Sequence, residues 1–348
     1  MTSTKKSLGQ FYTTNYDRIL KDMQFPSTTD PPIIIEPFAG AGDMLKFIKN
    51  PDFYQIEKYD IDPKQPDIEQ RDTLTNPPQY KDKFVITNPP YLARNKSKDK
   101  TLYDKYDVND LYKCFIKNLI NDPPNGGIII IPLNFWCSIR KTDQQLRCDF
   151  LEHFEIKLIN IFEEQVFDDT SYTVCSIQFS KKRSAVPTSI QMMIYPSENR
   201  LNIILNMEND YIIGGEIYKL LQDANITVER LTKKNKTSKC ITNINIKCID
   251  DSEESKIGLS IVKDEDRHID ETPKLSGRSY GTLIIEPAIS LERQHALVEK
   301  CNKYINEQRE KYHSLFLTNY RESKSIARKR ISFNLMYEIV NYVLQTLD

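Results

Sequence analysis

The chain has 348 residues and carries 48 Lys plus Arg against 49 Asp plus Glu, a formal net charge of −1. That balance excludes a bulk polycation of the histone kind but leaves room for local basic clusters on a phosphate-binding surface. At roughly 150 residues per domain the length predicts two domains. The 7 Cys form no C-x-x-C pair and the 4 His lie far apart, so reduced thiols in an intracellular protein are expected, with no metal site. The longest apolar run, 127–135, is far short of the ~20 residues that span a bilayer. Residues 1–10 have no apolar signal core, so secretion and a membrane partner are not expected. Only 10 residues are Gly, where an average chain of this size would carry about 24. Close pairs such as Gly40/Gly42 and Gly126/Gly127 are therefore worth following.

From Pro32 to about Phe179 short apolar runs alternate with amphipathic stretches, the pattern of a sheet wound with helices. The predicted strands are Ile33 to Glu36, Gln55 to Asp60, Phe84 to Thr87, Gly127 to Pro132, Lys157 to Phe162 and Thr173 to Phe179. A helix is predicted over Leu111 to Asn121, with Leu111, Phe115, Ile116, Leu119 and Ile120 at helical spacing. The last two strands are too close for an intervening helix and should form an antiparallel hairpin closing an otherwise parallel sheet. After Lys181-Lys182-Arg183 the composition turns polar, which places a domain boundary at 183/184. The second half carries a basic stretch at 233–239, an acidic one at 250–254, and a helix from Ser290 to Tyr312 with Leu291, Leu297, Val298 and Ile305 on one side. A basic run at 321–330 and a closing helix from Phe333 to Leu347 follow.

Residues 33–43 read as a buried strand that breaks into a Gly40-Ala41-Gly42 turn and opens a helix at Asp43. Glycines there let the backbone approach a ligand that a Cβ would push away. Asp60 ends the next strand about 20 residues later, where a Rossmann-like unit places an acid for ribose hydroxyls, and Asp72 ends the following segment. Either acid alone reads as a solvated loop carboxylate; together, behind a glycine turn, they favour an adenosine ligand. A third fingerprint glycine and a phosphate loop are both missing, so an adenosyl ligand without phosphates fits better than NAD or ATP. S-adenosylmethionine is such a ligand.

The apolar strand 84–87 delivers Asn88-Pro89-Pro90-Tyr91. Two prolines stiffen the loop and remove donors, leaving the Asn88 side-chain oxygen and the Pro89 carbonyl to accept hydrogen bonds from a planar amino group. Two acceptors on its N–H bonds would free the nitrogen lone pair, and Tyr91 would stack on the base. The alternative is a Pro-rich turn with a surface Tyr.

With these residues the chain resembles the S-adenosylmethionine-dependent adenine-N6 DNA methyltransferases of restriction-modification systems and large algal viruses, in the gamma order of motifs. The likeness covers about Ser7 to Lys182. It implies a Rossmann-like methyltransferase sheet, α/β in class, with residues 1–183 as the catalytic domain and 184–348 as a mixed, helical target-recognition domain. It also implies that Gly9 to Thr14 is the N-terminal motif, with Tyr12 and Thr13 binding the cofactor and Thr13 holding its methionine carboxylate, and that Glu36, Phe38, Gly40 and Gly42 form the glycine motif. Asp60 would bind ribose, Ile61 would lie beside adenine and Asp72 would read its amino group. Thr73 stands where relatives often place an aromatic. Asn88, Pro89, Pro90 and Tyr91 would be catalytic, with Asn88 and Pro90 also touching the cofactor. Phe167 would pack on a base extruded from the duplex, although it reads equally as a hairpin core residue.

A catalytic half of this type needs base-edge contacts from elsewhere. Arg321, Lys324, Arg328, Lys329 and Arg330 are the candidates for DNA contact, with Lys96 and Lys98 beside the catalytic loop; a solvated basic face is the bland alternative. The partners implied are double-stranded DNA and a cognate restriction endonuclease acting on the same site without a stable complex, with the chain a monomer or weak dimer. The setting implied is the cytoplasm of a bacterium or of a virus-infected host cell, and the algal-virus likeness suggests a four-base site such as CATG. Competing readings are a protein glutamine methyltransferase, an RNA or cytosine-N4 amino methyltransferase, and a non-catalytic DNA-binding subunit.

Overall fold

A computed structural model describes residues 15–26, 32–167, 172–184, 189–252, 254–271, 279–322 and 327–347. Two compact units divide between Tyr211 and Ile212. The first is built on strands β1 (Ile33–Glu36), β2 (Gln55–Asp60), β3 (Glu69–Gln70), β4 (Phe84–Thr87), β5 (Gly126–Pro132), β6 (Phe154–Phe162), β7 (Val174–Lys181), β8 (Ile190–Tyr195) and β9 (Asn199–Ile203). They form one sheet in the order β3-β2-β1-β4-β5-β7-β6-β8-β9. The pairs from β3 through β5 are parallel, and β7 runs antiparallel to both β5 and β6. The hairpin predicted from the short 163–172 connection is present, but it does not end the sheet. β8 joins β6 in parallel and β9 adds antiparallel. The polar turn in composition after Arg183 is thus an edge of this sheet, and the first unit runs past the expected boundary at 183/184.

Central parallel strands are covered on both faces and so read as apolar runs. Ile34, Ile35, Val85, Ile86 and Ile128 to Ile131 are all fully buried. At Gly127 a Cβ would lie 2.7 Å from the Val85 carbonyl oxygen and 2.8 Å from the Phe179 ring, so the strand meets its neighbours where no side chain fits. Helix α1 (Leu111–Asn121) has the bounds predicted and buries Tyr112, Phe115, Ile116 and Leu119. Helix α2 (Lys141–His153) follows β5.

The sequence of connections matters for function. From β1 the chain moves to β2 and β3 on one side, then returns to β4 on the other side of β1. Such a reversal leaves a crevice at the carboxyl ends of the two central strands, where open α/β sheets bind ligands. Those ends are Glu36 and Thr87, the residues that lead into the glycine turn and into Asn88.

The second unit contains β10 (Thr227–Arg230), β11 (Ile241–Lys247), β12 (Gly258–Ile261) and β13 (Tyr280–Glu286) as an antiparallel sheet ordered β10-β13-β11-β12. Helices α3 (Leu291–Tyr312) and α4 (Phe333–Leu344) share its core with Ile244, Ile246, Leu283 and Ile285. The Ser290 side chain caps α3 by accepting from the Arg293 N–H at 3.2 Å. The buried stripe of α3 is Gln294, Leu297, Cys301 and Ile305, while Leu291, expected on the inner side, lies at its rim and is 55% exposed. The basic run forms a two-stranded antiparallel ribbon, β14 (Thr318–Glu322) with β15 (Ala327–Arg330). Among the described residues no helix is long and apolar enough to cross a membrane.

Candidate active site

The glycine turn departs from the predicted helix start: only a 3-10 turn, Met44–Phe47, follows it. Gly40 and Gly42 have φ of 54° and 78°, a left-handed backbone that favours glycine. The turn is braced from β2, because the Gly40 N–H donates to Asp60 Oδ2 at 2.8 Å while Asp60 Oδ1 accepts from the Asp62 N–H at 2.7 Å. A second brace comes from Thr73, whose hydroxyl donates to the Pro37 carbonyl at 2.7 Å. Thr73 is buried and spoken for, so its hydroxyl fastens the turn where an aromatic would have offered a stacking face. Asp72 organises its own turn, accepting from the Leu74 N–H at 3.1 Å and the Thr75 hydroxyl at 2.7 Å.

These parts meet at a cavity of about 310 Å³, within the range of small-ligand sites. Of the residues singled out from sequence, Glu36, Phe38, Gly40, Asp60, Ile61, Asp72, Thr73, Asn88 and Pro90 line it. Ile61 is 43% exposed there, an apolar face left uncovered. Gly42 and Pro89 are adjacent in sequence to the lining without being part of it. Tyr12 and Thr13 lie outside the described residues.

Glu36 is 1% exposed, and its Oε2 has no hydrogen-bond partner among the described residues. Burial pushes its carboxyl well above the usual carboxylate range, and the neighbouring Asp60 and Asp43 push in the same direction. A buried acid facing two further acids at a cavity wall is suited to a cationic ligand.

Tyr91 is not where the sequence expects it, and of the two readings of Phe167 its burial agrees with the core residue. Tyr91 is 2% exposed and does not line the cavity. Its ring stands edge-on to Tyr112 and Tyr172, at 6.1 and 6.4 Å. Its hydroxyl reaches the Asn88 Oδ1 and the Ile130 carbonyl, the latter at 2.7 Å. Packing and hydrogen bonding therefore turn this ring inward, behind Asn88, where it orients the carboxamide. Phe167 is 3% exposed and buried away from the cavity.

Among the lining residues that the sequence missed are Arg71, Ser97, Asp99, Leu102, Tyr103 and Leu111. They come from the segment after the Asn88–Tyr91 loop and from β3's exit, and only loop closure brings them in. Behind them lies a buried ion pair, Lys113 Nζ to Asp143 Oδ1 at 2.6 Å, in which Ser138 donates to Asp143 Oδ2 at 2.5 Å.

The expected DNA contacts divide. Lys96 and Lys98 are exposed beside the cavity loop, and Arg328 is exposed on β15. Lys329 is 7% exposed, so this cation points into the unit rather than to solvent. Strand alternation explains it, since neighbours on a strand face opposite sides. Arg330 is half-buried. The side chain of Arg321, and Lys324 as a whole, lie outside the described residues.

The comparison with curated proteins finds no match. Among solved structures, the chain is similar to the methyltransferase subunit of a type I restriction-modification system from Streptococcus thermophilus, at 15% identity and a TM-score of 0.42, over 58% of this chain and 52% of that one. It is also similar to a modification subunit assigned to a type I restriction enzyme from Vibrio vulnificus YJ016, at 14% identity and a TM-score of 0.40, over 53% and 47%. The chain thus spans about half the length of these proteins. Residues 39–167, which hold the glycine turn, Asp60, Asp72 and the Asn88–Tyr91 loop, match the family model described as Eco57I restriction-modification methylase.

Proposed function

We propose that the chain is a site-specific DNA methyltransferase that moves the methyl group of S-adenosylmethionine to N6 of an adenine flipped out of duplex DNA. One observation carries the reading: the glycine turn, two acids and Asn88 converge on one cavity at the carboxyl ends of β1 and β4. The family match over 39–167 supports it from the side of sequence.

The residues fit the cofactor. Gly40 and Gly42 permit close approach, and Asp60 and Asp72 keep acceptor capacity for hydroxyl and amino groups beyond the bonds they already make. Ile61 offers an apolar face, and Glu36, with an oxygen unpartnered among the described residues, suits a cationic group. When bound, S-adenosylmethionine supplies a methyl group on a sulfonium whose charge disperses in the transition state, so the demand on the protein is positioning. Asn88 meets that demand. Tyr91 has one hydroxyl proton and two acceptors, Asn88 Oδ1 and the Ile130 carbonyl. The Asn88 oxygen, held in orientation by Tyr91, would accept a hydrogen bond from a substrate amine. Pro89 contributes its carbonyl as second acceptor.

DNA phosphates would meet Lys96, Lys98 and Arg328, and the second unit would supply recognition of the site. A restriction endonuclease of the same specificity, acting without a stable complex, completes the proposed setting, with the chain a monomer or weak dimer. The test is transfer from methyl-labelled S-adenosylmethionine to unmethylated plasmid DNA, followed by sequencing of methylated adenines. Label is expected on adenine at one short sequence, and Asn88→Ala is expected to lose about 100-fold or more in kcat while still binding S-adenosylmethionine. Label entering protein or RNA instead, or full activity in Asn88→Ala, would overturn the reading.

A further inference from the structure

We propose that Asp110 is a positioning residue for this transfer: its partly buried carboxylate clasps the chain as it leaves the Asn88–Tyr91 loop and so sets where Asn88 and Pro90 stand. The inference rests on the function proposed above. Pro89 and Pro90 have no N–H, so the first backbone donors that can anchor the loop beyond Asn88 are those of Tyr91 and Leu92. The Leu92 N–H donates to Asp110 Oδ1 at 3.0 Å. Around that bond the Leu111 N–H donates to the Leu92 carbonyl at 3.3 Å and the Arg94 N–H to the Asn109 carbonyl at 2.9 Å. Ala93 and Asp110 form an isolated antiparallel bridge. Asp110 therefore closes a loop of chain, 92–111, at its neck. Leu92, Ser97, Asp99, Leu102, Tyr103 and Leu111 of this loop line the cavity. The Tyr103 hydroxyl adds a bond to the Leu92 carbonyl at 2.9 Å, and Arg94 holds Asp104 at 2.7 Å within the loop.

The charge on this clasp is costly. Burial raises the Asp110 carboxyl to about 6, with Lys113 and the Leu92 N–H opposing. Tyr91, Tyr103, Tyr112 and Cys114 also face it. Lys113 is itself committed, donating to Asn109 at 2.8 Å and to Asp143 at 2.6 Å. A neutral amide could accept the same hydrogen bond without the desolvation cost of a partly buried charge. A carboxylate holds an N–H more tightly, which serves geometry more than stability.

Asp110→Asn separates the two roles, because it keeps an acceptor for Leu92 and removes the charge. The melting temperature is expected to hold or rise at neutral pH. With saturating S-adenosylmethionine and unmethylated plasmid DNA, kcat is expected to fall between about 10- and 100-fold with KM for S-adenosylmethionine little changed. As pH falls through about 6 the wild-type carboxylate takes a proton, the clasp weakens and kcat drops; this acid limb is expected to vanish in Asp110→Asn and to remain in Glu36→Gln. An unchanged kcat, a persisting limb, or a lowered melting temperature with matching loss of cofactor binding would overturn the proposal. A further measurement does not need the reaction: the Leu92 amide resonance is expected to titrate between about pH 5 and 7 in the wild type and to stay still in Asp110→Asn. A static Leu92 signal in the wild type sinks the clasp, whereas a moving signal in a protein that methylates no DNA leaves the clasp standing and removes the proposed function.

Discussion

In the second unit, Asp250 and Asp270 lie buried against arginines, 2.8 Å from Arg309 and from Arg230. In the first unit, Glu36 is buried as deeply but faces Asp60 and Asp43, with one oxygen unpartnered among the described residues. The same chemical group is treated in opposite ways. Asp250 takes both Arg309 guanidinium nitrogens, at 3.1 and 2.8 Å, and the Ile257 N–H, and its own N–H donates to the Lys329 carbonyl, so it ties α3 to the basic ribbon. Arg230 lies 4.3 Å from the centre of the Phe333 ring as well as beside Asp270. These acids belong to the architecture. Glu36 destabilises the fold as long as it is charged, which would be offset in the proposed site by a cationic ligand.

The contrast can be broken at its strongest point by Asp270→Ala, which would leave the buried Arg230 charge without its ion pair. A loss of about 3–5 kcal/mol in unfolding free energy is expected by chemical denaturation; a loss below one would mean that the pair is dispensable. Glu36→Gln tests the other side. An acid whose folded-state value is raised costs stability from its ordinary range near 4 upward, a cost that grows until pH passes the folded value. Removing the charge should therefore keep or raise the melting temperature at neutral pH. S-adenosylmethionine should bind about tenfold more weakly, near 1.4 kcal/mol. Wild-type affinity should rise with pH as Glu36 ionises, and the variant should lose that slope. Calorimetric titration across pH reads both, and a Glu36→Gln protein that is less stable yet binds normally would reverse the comparison. The smallest effect is expected at the surface of the second unit. Neutralising Arg328 and Arg330 together should lower the salt slope of DNA binding by about 1 for each phosphate that is no longer neutralised. An unchanged slope takes the ribbon out of the interface.

Much of the first unit is legible in the chain itself. β1, β2, β4 and α1 have the bounds their residues predict; β1 and β4 read as apolar runs because central parallel strands are covered on both faces, and α1 repeats its apolar residues at helical spacing. β8 and β9 were hidden: Ile190, Met192 and Ile194 are buried while Gln191 between them is exposed, a half-solvated pattern that looks like a change of domain after Arg183. In the second unit Leu291 misled for a related reason, since an apolar residue at the rim of a stripe has the right spacing without the burial.

The glycine turn, Asp60, Asp72 and Asn88-Pro89-Pro90-Tyr91 are local chemistry, and local chemistry is written along the chain: a φ that favours glycine, a strand that must end, two prolines that stiffen a loop. Desolvation is not local. It depends on which segments close over which, and so Glu36 as a buried acid with an oxygen unpartnered among the described residues, Tyr91 turned behind Asn88, Lys329 drawn inside and Asp110 at the neck of the 92–111 loop follow only from the folded arrangement.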